Sequence, residues 1–128
     1  SQQAIVLCAH LHLYSVICRD TPWGPIVQIL VNSVIKDKNM LIPKKVVTDY
    51  SPKLVTAHPQ WQPSTLQQRM EWIDKETPHI RFFKQMDLPG YGILSIDKEN
   101  NQIQLKYYAA FGEKPYDTVN ISELLTSN

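Results

Sequence analysis

The sequence predicts an α+β fold with a mostly antiparallel sheet and two short helices. Two observations predict it: β-rich segments separated by turn residues occupy both ends of the chain, and a proline-rich segment with helical spacing lies between them. With 128 residues, 43% of them hydrophobic, the chain suits one globular domain or part of one. We therefore divide it into strands in 1–35, a Pro-rich and helical insertion in 36–90, and antiparallel strands in 91–128.

Strand-forming residues dominate the first segment. Residues 5–8 are a short continuous apolar run, which predicts a strand covered on both faces. Residues 13–18 and 26–35 are also β-rich, and the turn residues of 20–25 separate them. These two segments should pair as an antiparallel hairpin.

A first helix is predicted after the prolines of the middle segment. Ser64 or Thr65 can cap it, since both side chains can accept a hydrogen bond from the first turn. Leu66, Met70 and Ile73 then recur at helical spacing. We expect this face to pack in the core.

A second helix is predicted from Thr77. Pro78 falls in its first turn, where the missing backbone donor costs nothing. Ile80, Phe83 and Met86 continue the helical spacing. The helix should end before the Leu-Pro-Gly sequence at 88–90.

Alternating residues predict an antiparallel module at the C-terminal end. Residues 91–97 and 102–108 should form two strands joined by a hairpin loop at 98–101. In the second strand Ile103, Leu105 and Tyr107 share one face. Residues 116–121 predict a third strand, which Leu124 and Leu125 close.

Two histidines lie at the exit of the first predicted strand. His10 and His12 follow the apolar run that ends at Cys8, where open α/β sheets collect their ligands. On an extended backbone, a spacing of two puts both side chains on the same side. Neutral imidazole is the commonest metal ligand, but many such pairs are ordinary surface or core histidines.

The residues around this pair resemble a known metal-binding motif. The sequence Ala-His-Leu-His at 9–12, followed by Tyr14, is similar to the last motif of the calcineurin-like metallophosphoesterases, Gly-His-x-His, in its purple acid phosphatase version. Ala9 replaces the usual glycine. The Gly-Tyr-Gly sequence at 90–92 and the Tyr-Asp-Thr-Val sequence at 116–119 also resemble that family. The resemblance covers residues 4–35 and 88–121.

The resemblance implies a fold, a reaction and a set of site residues. The fold is a four-layer β-sandwich flanked by helices, and residues 1–35 are the last strands of its core. The reaction is phosphate-ester hydrolysis at two divalent or trivalent ions of manganese, iron or zinc. His10 and His12 are the implied ligands, one for each ion. Tyr14 and Asn32 are further candidates near the metals or the substrate, with a core role for Tyr14 and a strand-end hydrogen bond for Asn32 as the alternatives.

The other ligand motifs of that family are missing from the sequence. Asp-x-His, Gly-Asp and Gly-Asn-His do not occur, and two histidines cannot hold two ions. We therefore expect a C-terminal fragment of a larger enzyme, inactive alone and binding no metal tightly. Its partners are then a phosphate-ester substrate and the rest of its own enzyme. Self-association is also possible through the strand at 5–8, which in a fragment lacks its neighbours.

Bulk properties exclude some other functions. A net charge of +1 argues against a nucleic-acid partner, which requires a basic stripe. The sequence has no run of eighteen apolar residues that would predict a membrane span. Cys8 and Cys18 lie in apolar runs and are predicted to be buried free thiols.

An alternative function remains open on the sequence alone. The chain could be a non-catalytic binding or interaction module with merely structural histidines. Aromatic residues would then line a carbohydrate or protein surface: Trp23, Trp61, Trp72 and the pair Tyr107-Tyr108. Finding Asp-x-His and Gly-Asn-His motifs upstream in the parent protein would decide for the enzyme.

Overall fold

Two β-sheets form the framework of the chain. The computed structural model describes residues 3–9, 13–32, 48, 65–86, 88–110 and 112–126. In these ranges the first sheet has the strand order β1-β3-β2-β4, and the second has the order β5-β6-β7. The strands are β1 (Ala4–Cys8), β2 (Tyr14–Thr21), β3 (Gly24–Leu30), β4 (Ile80–Met86), β5 (Gly90–Asp97), β6 (Gln102–Ala109) and β7 (Asp117–Asn120).

Two helices complete the described elements. They are α1 (Leu66–Glu76) and α2 (Ile121–Leu124), and a 3-10 turn at Thr77–His79 follows α1. Neither is long and apolar enough to cross a bilayer, so the described ranges contain no candidate membrane helix. Of the neighbouring strand pairs, β1 and β3 are parallel and the others are antiparallel. The predicted α+β class, with a mostly antiparallel arrangement, is therefore confirmed.

The predicted hairpin of the N-terminal segment is confirmed. β2 pairs antiparallel with β3 from Ser15–Leu30 to Thr21–Gly24. A two-residue turn joins them, and Gly24 adopts a φ of 131°, which residues with a side chain rarely adopt. Residues 33–35, which were predicted to continue the second strand, lie outside the described residues.

The hydrophobic core lies between the inner faces of the two sheets. Alternate residues of β2 and β3 meet those of β6 and β7, because successive side chains of a strand point to opposite faces. The fully buried members include Tyr14, Val16, Val27, Leu105 and Tyr107. The predicted shared face of Ile103, Leu105 and Tyr107 is the face that packs here.

The first helix begins where the sequence predicts. Thr65 caps α1, accepting a hydrogen bond from the backbone of Gln68, and the Gln68 side chain accepts one from the Thr65 backbone. Ile73 is buried, as expected for the predicted core face. Met70 is 42% exposed, so the prediction is wrong for that residue.

The predicted second helix is wrong. After the short turn at Thr77–His79, the chain forms strand β4, which pairs antiparallel with β2 from Tyr14–Met86 to Arg19–Ile80, with one register shift between Cys18 and Arg19. The free edge of β2 satisfies the backbone of these residues, and this tertiary pairing outweighs the local helical spacing. Residues 80–86 therefore belong to the first sheet although they fall within the predicted insertion at 36–90. The division into three segments itself stays a prediction.

The first strand is an edge strand, whereas the sequence predicts burial on both faces. Within the described residues, β1 pairs only with β3. Val6 on one face and Leu7 on the other are both exposed, Leu7 by 66%. A short apolar run indicates a strand but does not determine its position in the sheet, and this position leaves one edge and much of both faces open.

The C-terminal strands agree closely with the prediction. β5 and β6 pair from Gly90–Ala109 to Asp97–Gln102, and β7 pairs with the other edge of β6. The chain then turns into α2 at Ile121, so Leu124, which was expected to close the strand, is the last residue of a short helix and Leu125 follows it. Cys8 and Cys18 are both free thiols, as predicted, but only Cys18 is fully buried.

Truncation of a core leucine should destabilise the protein far more than truncation of an edge leucine. Leu105 is 2% exposed and Leu7 is 66% exposed. We expect Leu105→Ala to lower the free energy of unfolding by about 2–5 kcal/mol, and Leu7→Ala by less than about 1 kcal/mol. Urea denaturation of both variants measures this. Equal losses would contradict the described position of β1.

Candidate functional site

The parallel pairing of β1 and β3 brings two chain exits together at one end of the first sheet. We call this end, where both strands finish, the carboxyl edge. Cys8 and Leu30, the last residues of the two strands, are register partners. The backbone N–H of Val31 donates to the Cys8 carbonyl oxygen at 3.4 Å. The chain therefore leaves β1 at Ala9 and β3 at Val31 side by side, at the carboxyl ends where α/β sheets bind ligands.

The next strand begins at the same edge. Tyr14 opens β2, and its neighbour Ser15 is the register partner of Leu30. Residues 9–13, which we call the histidine segment, thus start and finish at this edge. His10 and His12 themselves lie outside the described residues. Their role as metal ligands, and the expectation that both rings face one cavity, stay predictions.

Asn32 lies at this edge, directly after β3. It is 7% exposed, so its amide is buried near the exit of the histidine segment. Its position is the one from which the sequence suggests either a contact near the metals or a strand-end hydrogen bond. Both roles stay predictions.

Tyr14 occupies a core position. Its ring is fully buried and stacks on Tyr107 of the second sheet, with ring centroids 4.0 Å apart and an angle of 20° between the planes. Its hydroxyl donates to Oδ2 of Asp117 at 2.7 Å. The core role considered for Tyr14 is thus the one observed. Its role near the metals or the substrate stays a prediction.

Asp117 and Lys84 form a polar group with Tyr14 that the sequence analysis did not identify. Lys84 Nζ donates to Asp117 Oδ1 at 2.9 Å, and the side chains are only 20% and 13% exposed. We call Tyr14, Lys84 and Asp117 the inter-sheet polar cluster, because Tyr14 and Lys84 belong to the first sheet and Asp117 to the second. The sequence could have indicated Asp117, because it lies two residues before Val119 and therefore shares the inward face of β7 with it.

The electrostatics of this cluster keep the tyrosine neutral. Burial first, and then the hydrogen bond to Asp117, raise the pKa of the Tyr14 phenol far above its ordinary value of 10.0. The phenol is therefore a hydrogen-bond donor throughout the physiological pH range. Its partner Asp117 accepts from Tyr14 on one oxygen and from Lys84 on the other.

A cavity of about 210 Å³ lies beside the candidate site, between β1 and β3 of the first sheet and β5 and β6 of the second. Its lining is apolar: Leu7, Cys8, Ile29, Val31, Gly92, Leu94 and Leu105. Such a lining does not suit a hard metal ion, which prefers oxygen ligands. In the ranges that the structure describes, no three His, Cys, Asp or Glu residues come close enough to hold a metal.

His79, the histidine within the described ranges, lies away from this edge. His79 is exposed in the 3-10 turn before β4. The first residue of β4, Ile80, pairs with Arg19, whereas its last residue pairs with Tyr14. His79 is thus at the opposite end of the first sheet and can serve as a control for histidine substitutions.

The aromatic residues that could line a binding surface do not form a single surface in the described residues. Tyr107 is fully buried, so its predicted surface role is wrong. Tyr108 instead stacks on Tyr91 across the strands, with ring centroids 5.1 Å apart. Trp23 is exposed in the β2–β3 turn and Trp72 on α1, on two other elements. Trp61 lies outside the described residues.

Comparison with known proteins adds no relative to this picture. No protein-family model, no curated protein and no solved structure matches the chain.

Removing the ammonium group of the inter-sheet polar cluster should destabilise the fold. Lys84→Met leaves one Asp117 oxygen unpaired in a largely buried position, and we expect a loss of about 1–3 kcal/mol in the free energy of unfolding. The matched control is Arg19→Met, which breaks a more exposed pair with Glu76 and should cost less than about 1 kcal/mol. Urea denaturation at low and high salt compares them. An equal effect of the two substitutions would contradict the structural role of the cluster.

Proposed function

We propose that this chain is the C-terminal segment of a metal-dependent phosphoesterase and that His10 and His12 are two of its metal ligands. The observation that carries the proposal is the carboxyl edge of the first sheet, where β1 and β3 end and β2 begins. There the residues before and after the histidine pair, and the strand end that leads to Asn32, lie together. This is where a strand would present a His-x-His motif to a ligand site.

The donor chemistry of the pair suits part of a metal site. Imidazole nitrogen binds zinc, iron and manganese, and two imidazoles leave room for ligands from elsewhere in the protein. When bound, two such ions polarise the phosphoryl oxygens and supply a hydroxide nucleophile. Carboxylate ligands from other parts of the parent enzyme complete the site in this proposal.

The residues of this chain have three roles in the proposed reaction. His10 and His12 bind the ions, one each. Asn32, at the neighbouring strand exit, can donate a hydrogen bond from its amide to a phosphoryl oxygen of the substrate. Tyr14 makes no contact with the substrate and belongs to the framework, because Tyr107 and Asp117 engage its ring and its hydroxyl.

The edge of β1 that no described strand pairs with suits the proposed place of this segment in a larger sandwich. An edge strand without charges or prolines offers unpaired backbone groups to another strand. β1 carries neither, and Leu7 is exposed beside the apolar cavity. We propose that the rest of the enzyme pairs here to build the metallophosphoesterase sandwich, with a second copy of the chain as the alternative occupant.

The alternative of a carbohydrate- or protein-binding module has less support. Its exposed aromatic residues are spread over the β2–β3 turn, α1 and the second sheet. Tyr91 and Tyr108 stack on one another, so one face of each ring is not available for a sugar. A binding platform requires several aromatic faces on the same side of the molecule.

Zinc binding tests the ligand assignment directly. We expect weak but measurable Zn²⁺ binding by the chain in calorimetry, because two imidazoles are an incomplete ligand set. His10→Ala and His12→Ala should each weaken it roughly tenfold or more. His79→Ala is the matched control and should leave the affinity unchanged. The proposal fails if all three variants bind zinc like the wild type.

Hydrolysis assays test the division of the site between this chain and the rest of the enzyme. Residues 1–128 alone should not hydrolyse a chromogenic phosphate monoester at an enzymatic rate with Mn²⁺ or Zn²⁺, because the hard carboxylate ligands are missing from the pair. The parent protein should be active and should lose that activity in His10→Ala. Turnover by the isolated chain that disappears in His10→Ala would show that the chain holds a complete site.

A further inference from the structure

A second cavity, of about 230 Å³, lies on the flank of the two sheets, between β4, β7 and α2. β4 is at one edge of the first sheet and β7 at one edge of the second, and the contact of Lys84 with Asp117 joins them. We call this cavity the flank pocket. Its walls combine apolar side chains with two opposite charges, and they include Phe82, Lys84, Thr118, Val119, Glu123 and Leu124.

Lys84 provides the cationic end of the flank pocket. Its ammonium lies 5.8 Å from the centroid of the Phe82 ring, beside the aromatic wall. One of its three N–H donors goes to Asp117 Oδ1 at 2.9 Å, which leaves two for an acceptor in the pocket as far as the described residues go. Because the side chain is only 20% exposed, little water surrounds these donors, and a charge-assisted hydrogen bond is stronger there than at the open surface.

Glu123 provides the anionic end. The Asn120 side chain accepts a hydrogen bond from the Glu123 backbone, which fixes the first turn of α2 beside the pocket. The carboxylate itself is exposed, and no ion pair of the described residues includes it.

The two charges belong to opposite ends of the pocket. Arg81 Nη1 donates to the Leu124 carbonyl at 3.1 Å, so α2 lies beside the first residues of β4. Lys84 comes three residues after Arg81, and three residues of a strand span roughly 10 Å. A ligand that reaches both charges therefore needs several atoms between its own charged groups.

We propose that the flank pocket binds a small zwitterion whose carboxylate and ammonium are separated by a short carbon chain. The carboxylate accepts from Lys84, the ammonium meets Glu123, and the carbon chain lies against the Phe82 ring. A ligand with only one charged group leaves the protein charge at the other end without a partner, and unpaired polar groups lower affinity. The histidine segment takes no part in this site, because two strands separate β4 from β1 in the first sheet.

Three probes of equal chain length test the proposal: ε-aminocaproate, caproate and hexylamine. Each is titrated into the isotope-labelled chain, and NMR follows the backbone amide shifts. We expect ε-aminocaproate to shift the amides of Thr118, Val119 and Glu123. Caproate should bind roughly two- to fivefold more weakly, because an exposed ion pair contributes little. Hexylamine should bind roughly tenfold or more weakly, because it lacks the acceptor for Lys84. Equal affinities of the three probes, or shifts that avoid β7 and α2, would overturn the proposal.

Substitution of Glu123 separates the two ends of the pocket. Glu123→Gln keeps the shape of the side chain and should weaken ε-aminocaproate roughly two- to fivefold while leaving caproate unchanged. The matched control is Glu71→Gln, which neutralises an exposed carboxylate on α1 and should change neither affinity. The proposal is wrong if the two variants bind ε-aminocaproate equally, or if Glu123→Gln weakens caproate as much as ε-aminocaproate.

Substitution of Lys84 tests the other end. Lys84→Met should remove the binding of caproate, and Lys84→Arg, which keeps the positive charge, should restore it. Caproate binding that is the same in Lys84→Met and in the wild type contradicts the proposed role of the ammonium. Because Lys84 also stabilises the fold, the Glu123 comparison decides the outcome if Lys84→Met does not fold.

Discussion

The contact of Tyr14 with Tyr107 and Asp117 joins the two halves of this structure. Tyr107 and Asp117 are register partners on β6 and β7, and Tyr14 meets both from the first sheet. Stacking of two large rings buries much apolar area, and the hydrogen bond adds direction to it. Residues about 100 positions apart in the chain are thereby held in one arrangement, on which the core between the sheets depends.

A second constraint arises from strand direction. β1 and β3 are parallel, so their carboxyl ends meet at one edge, and the antiparallel β2 begins there as well. Three chain ends therefore lie close together: the exit of β1, the exit of β3 and the start of β2. In this way the backbone pairing of the first sheet determines where these chain ends meet, and the inter-sheet polar cluster joins the start of β2 to the second sheet.

The alternation of apolar and polar residues predicted the strands correctly where one face of a strand is buried and the other is exposed. In β6, Leu105 and Tyr107 alternate with Gln104 and Lys106, and the observed faces are the predicted ones. Alternation did not predict the strand at residues 80–86, where Phe82 and Phe83 follow one another. A strand covered on both faces has no alternation, so its apolar residues can also be placed on a helix. Backbone pairing with β2 determined that these residues form a strand.

The sequence by itself determined most of the local elements, except β4 and α2, and it supplied the candidate ligands. Turn residues, alternation and the cap at Thr65 predict the hairpins and the first helix, and the spacing of His10 and His12 is visible without a structure. Only the tertiary structure decided which strands lie at the edges, that β4 joins the first sheet, and that Lys84 and Asp117 meet Tyr14. These features depend on contacts between residues that are far apart in the sequence. An ion pair or a sheet edge exists only in the assembled sheets, and no local spacing encodes it.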